Sequence, residues 1–97
     1  MKQFIYQLFP TRVEMLSEGA DARESLILDD HFNYLKGLKE NEVVLMAGRT
    51  LTQDKSTFGI VILEVESESA AEAIMHRDPV VEKGVMKAVL SPFRVAI

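Results

Sequence analysis

Two histidines, His31 and His76, supply all the imidazole in this chain, and imidazole is the side chain whose charge changes near neutral pH. His31 falls four residues after Ile27 and three before Tyr34, so on a helix it shares or borders their apolar stripe. A polar ring placed there serves either as a hydrogen-bonded structural group or as a general acid or base at the lip of a cleft. Asp78 invites a similar pair of readings. Followed by Pro79, it starts a short helical turn that Gly84 ends, with its carboxylate as the N-cap. The same carboxylate set against His31 would fix the imidazole tautomer and raise its basicity, as the orienting member of a dyad does. Arg49, after Ala47-Gly48, and Arg12, near the end of the first strand, are candidates for clamping an anionic substrate, the alternative being a solvated guanidinium. His76, beside Arg77, is explained by a helix C-terminus and is assigned no role.

Other chemistries are poorly served. Asp29 and Asp30 precede His31, but adjacent residues on a helix diverge and no second histidine stands at i+4, so no metal site is expected. The five glycines are isolated, which leaves no phosphate-cradling loop, and no cofactor is expected. The absence of cysteine removes disulfides, thiolate catalysis and thiolate-bound zinc. Fifteen acids against eleven scattered bases give a net charge of −4, which disfavours a nucleic acid or an anionic membrane surface as partner. The first residues, Met-Lys-Gln-Phe-Ile-Tyr-Gln, lack the apolar core of a signal peptide, and no later run approaches membrane-spanning length, so a cytoplasmic location is expected.

The elements that must position these residues are legible in the pattern. With 47% apolar and 27% charged residues over 97 positions, the chain has the makings of one globular domain spanning residues 1–97. Residues 2–9 are aromatic and β-branched and predict a strand that Pro10 stops. Residues 11–19 hold at most a helical turn ended by Gly19. From Asp21, which forms a capping box with Glu24, helical spacing carries Ile27, Leu28, Phe32, Tyr34, Leu35 and Leu38 to about Glu40. Val43 to Ala47 is a continuous apolar run, the mark of a strand covered on both faces, and a hairpin leads to a further strand over Phe58–Val65. Ser67 and Ser69 are both candidate caps for a second helix, and Ser69 with Glu72 matches a capping box; this helix ends near Arg77. Val85–Leu90 predicts a last strand that Pro92 interrupts before an extended segment to Ile97.

The order βαββαβ, with a helix at each crossover, predicts an α+β ferredoxin-like fold, both helices lying on one face of an antiparallel sheet. The strands are apolar on both sides, however: Phe4, Tyr6 and Leu8 alternate with Ile5 and Phe9, and Phe58, Ile60 and Ile62 with Val61, Leu63 and Val65. Burying about 500 Å² of the second face contributes roughly 12 kcal/mol before the cost of association, so a homodimer through the sheet faces is expected. The alternative is a second face covered by the C-terminal segment.

Taken together, His31-Phe-Asn-Tyr34-Leu35, Ala47-Gly48, Phe58-Gly59-Ile60 and Asp78-Pro79 with Gly84, in this order and spacing, resemble the YCII-related (YciI-like) proteins of the dimeric α/β-barrel superfamily. The resemblance implies two ferredoxin-like subunits with their sheets face to face, and a pocket in each where a histidine and an aspartate act as an acid–base pair. Those positions correspond to His31 and Asp78. The family commonly has Gly-Pro after its second strand, where this chain has Gly48-Arg49, which implies an altered pocket rim. The expectation is a small-molecule lyase or isomerase with catalytic His31 and Asp78 and with Arg49 and Arg12 on the substrate; the alternative is a non-catalytic metabolite-binding or accessory domain.

Overall fold

In the computed structural model, which describes residues 1–97, the elements run β1 (Lys2–Pro10), α1 (Glu14–Glu18), α2 (Ala22–Glu40), β2 (Val44–Arg49), β3 (Gly59–Val65), α3 (Glu68–Arg77), α4 (Pro79–Glu82) and β4 (Met86–Phe93). The four strands form one antiparallel sheet in the order β2-β3-β1-β4, so the two long helices serve as crossovers of the ferredoxin-like α+β fold. No helix is long and apolar enough to cross a membrane.

Alternation along the strands sends one set of side chains to the helices. Phe4, Tyr6 and Leu8 of β1 sit beside Val61, Leu63 and Val65 of β3 and pack against Ile27 and Leu35 of α2, Ala71 and Met75 of α3 and Val80 of α4. The intervening residues form the other face: Ile5 pairs with Ile62 and Gln7 with Ile60, Met46 lies beside Ile62, and Val89 lies opposite Gln7. Met46 and Val89 on the two edge strands are each 50% exposed, whereas Ile62 is buried and Ile5 and Ile60 are partly so, and the apolar face is thus open to solvent mainly at its edges in the single chain.

Local chemistry sets the ends of the elements. Asp21 caps α2 through a complete capping box with Glu24. At its other end the N–H of Val43 bonds to Leu38 O and that of Glu42 to Lys39 O, a Schellman closure that places Glu42 at φ 62°.

Three expectations are corrected. Of the two candidate caps of α3 it is Ser67 whose hydroxyl accepts from the Ala70 N–H, so the capping box expected of Ser69 and Glu72 does not form and Ser69 lies in the first turn. β4 runs through Pro92 to Phe93, because an edge strand tolerates a missing N–H, and Pro92 lies opposite Phe4. β2 is covered on neither face beyond Val44: it is the other edge strand, bulged between Val44 and Met46, and Met46 to Arg49 are exposed.

The exposure of β2 has a steric cause. On the helix-facing side its end carries Ala47, opposite Val61, and the neighbouring position on β3 is Gly59. These side chains are too small to reach α2. A cavity of about 920 Å³ therefore opens between α2, α1, the β2–β3 edge and the connection that follows β2.

Candidate active site

Three elements converge on one buried carboxylate. Asp78 ends α3 and caps α4, its Oδ1 accepting from the Val80 N–H at 3.2 Å, and Pro79 stands at the first helical position where no N–H is needed. α2 delivers His31, whose Nδ1 lies 2.7 Å from the same oxygen. β1 delivers Tyr6, whose hydroxyl donates to Oδ2 at 2.8 Å. Asp78 and Tyr6 are wholly buried and His31 is 8% exposed.

The hydrogen bonds fix the protons. A carboxylate that accepts from Tyr6 and from the Val80 N–H calls for a donor at its third contact, so Nδ1 of His31 carries a proton toward Asp78 and Nε2 is the lone-pair nitrogen of the neutral ring. Nε2 has no partner within the chain, and His31 forms part of the cavity wall whereas Asp78 stands behind it. Burial, reinforced by the charge of Asp78, pushes the Tyr6 phenol well above its ordinary range, so it remains a donor. Burial likewise pushes Tyr34, which donates to Ile74 O at 2.7 Å, up to about 12. An imidazole oriented from behind by a buried carboxylate, on the wall of a cavity of substrate size, can act chemically as a general base or acid.

The two arginines part company. Arg49 ends β2 on the cavity wall. Arg12 is not among the lining residues; its Nε and Nη2 bond to the two carboxylate oxygens of Glu24 at 2.9 and 2.5 Å, and Nη2 also reaches Gly19 O at 3.4 Å. Glu24, bonded by Arg12 and by the Asp21 N–H, is held down to about 2. Arg12 thus ties the end of β1 to the start of α2. No group of three or more His, Cys, Asp or Glu side chains is placed to hold a metal ion.

Tyr6 is the participant that sequence reasoning read only as core. A tyrosine on the buried side of a strand needs a partner for its hydroxyl, and that requirement was the available signal. Phe32, whose spacing alone places it in the helical stripe, has its ring 5.5 Å from that of His31 and is 57% exposed at the cavity wall.

Among solved structures, the chain is similar to 5-chloro-2-hydroxyhydroquinone dehydrochlorinase (TftG) from Burkholderia phenoliruptrix AC1100, in complex with 2,5-dihydroxybenzoquinone. The identity is 20%, the TM-score 0.63, and the match covers 94% of this chain and 93% of that one. A comparison with curated proteins returned no match. The family model of the YCII-related domain matches residues 11–93, a span that takes in His31, Asp78 and every element after β1. On that match, the chain belongs to the YCII-related family.

Proposed function

We propose that this protein is a lyase or isomerase of small molecules in which Nε2 of His31 removes a proton next to a carbonyl and returns it to another atom or to the leaving group. Asp78 holds the imidazole in the required tautomer and stabilises the imidazolium that forms, and Arg49 steadies developing or resident negative charge. The observation that carries this reading is the 2.7 Å contact between His31 Nδ1 and a buried Asp78, with the imidazole opening onto a cavity of about 920 Å³. The TftG neighbour, a dehydrochlorinase by name, lends support from the fold, since elimination of HCl also requires removal of a proton. We further infer that two copies associate through the apolar sheet faces that carry Ile5, Ile62 and Val89.

Deuterium exchange next to the carbonyl, followed by NMR over a panel of small ketones and lactones, tests the chemistry. Wild type is expected to exchange at least one member, and His31→Ala and Asp78→Asn to slow it by about 10²–10⁴-fold while remaining folded. Equal exchange in wild type and both variants would remove the dyad. Binding of a panel member without exchange, unaffected by His31→Ala, would favour the non-catalytic metabolite-binding reading.

A further inference from the structure

We propose that the cavity takes a carboxylate with an apolar or aromatic body, its anionic group held by Lys36 and Arg49. This deepens the acid–base reading and rests on it for placing the reacting carbon at His31.

The wall contributed by α2 changes character along its length. Leu28, His31, Phe32, Leu35, Lys36 and Lys39 all line the cavity, at the spacing of a single helical face. Its first part is apolar and its last part cationic. The whole chain carries a charge of −4, yet of its fifteen acids only Glu40 reaches the cavity wall, against Lys36, Lys39 and Arg49 from eleven bases. The cavity thus inverts the sign of the molecule, which concentrates anions there.

Not all of these cations are free. The Lys39 ammonium donates to Leu45 O at 2.7 Å, the carbonyl of the bulge residue in β2, and so fastens the helix to the strand. Lys36 and Arg49 take part in none of the chain's ion pairs. Glu40 follows Lys36 by four residues, the less favourable order for a helical pair, and no pair forms.

The rest of the wall asks for an apolar body. Fourteen of the 25 lining residues are hydrophobic, and Phe32 presents its half-exposed ring beside the imidazole. A planar group laid over Phe32 removes that surface from water. Five residues separate Lys36 from His31, a rise of about 7.5 Å, which lysine shortens because helical side chains lean toward the N-terminus. An acid whose reacting carbon lies a few bonds from its carboxylate spans that interval.

Calorimetric titration with cinnamate and with its neutral amide, cinnamamide, tests the proposal on wild type, on the double variant Lys36→Gln/Arg49→Gln, and on His31→Gln. Wild type is expected to bind cinnamate roughly tenfold more tightly than the amide, with the difference shrinking as salt is added. The double variant, altered only at exposed positions, is expected to lose the preference and His31→Gln to keep it. Equal affinity for acid and amide, no binding of cinnamate at millimolar concentration, a preference surviving in the double variant, or one lost in His31→Gln would each overturn the proposal. Failure of the acid–base reading has a separate signature: exchange that is indifferent to His31→Ala while the carboxylate preference stands.

Discussion

Asp78 receives three donors, from a helix, a strand and its own following turn, and this multiplicity separates what its variants are expected to do. Asp78→Asn keeps a capping oxygen and a partner for Tyr6. Asp78→Ala removes the cap and leaves the buried Tyr6 hydroxyl and His31 Nδ1 unpaired, and is expected to cost roughly 2–4 kcal/mol in urea unfolding, against about 1 for Asn. A second expectation concerns acid. Because Glu24 is lowered from its ordinary 4.5 to about 2, chiefly by Arg12, it stabilises the fold fully above pH 4.5 and loses that contribution as pH falls toward 2. In Arg12→Ala the slope of unfolding free energy against pH should flatten across that window. His31 and Asp78 were legible as candidates because a polar residue on an apolar stripe and an Asp-Pro pair each stand out locally. Their contact was not, since 47 residues separate them and only the packing of α2 against α4 joins them. Arg12 misled for a related reason: sequence spacing cannot show that Glu24, already engaged in a capping box, also receives a guanidinium.

Among the elements, α2 does most to shape the site, and its closure is under strain that can be measured. Glu42 adopts φ 62°, a left-handed conformation in which a Cβ is disfavoured. Glu42→Gly should therefore stabilise the protein by about 1 kcal/mol in thermal or urea unfolding, and a loss of stability would mean that the Glu42 side chain outweighs the strain. The helices were readable from spacing and caps, although at α3 Ser67 and Ser69 are chemically equal candidates and only backbone geometry chooses the first over the capping box that Ser69 and Glu72 suggested. The strands were readable by composition, but their positions in the sheet were not. An apolar run such as Val43–Ala47 signals a buried strand only if something covers it, and here the small side chains of Ala47 and Gly59 leave room for a cavity.

For the whole molecule, the alternation that predicted two apolar faces is present in the fold, and the face away from the helices is partly exposed in the single chain, most of all at Met46 and Val89. Sedimentation of wild type at micromolar concentration is expected to give a dimer, and Ile5→Lys/Val89→Lys a folded monomer; a wild-type monomer would overturn the assembly that we infer. The period of two along β3 carries a further consequence. Gly59 and Val61 lie on the helix-facing side, where both line the cavity, while Ile60 and Ile62 lie on the opposite side, from which Ile60 still reaches the cavity edge. A larger side chain at Gly59 would therefore narrow the cavity without touching the face that we infer to self-associate, and a charge at Ile62 would do the reverse, whereas Leu63 and Val65 of the same seven-residue strand are held by the core.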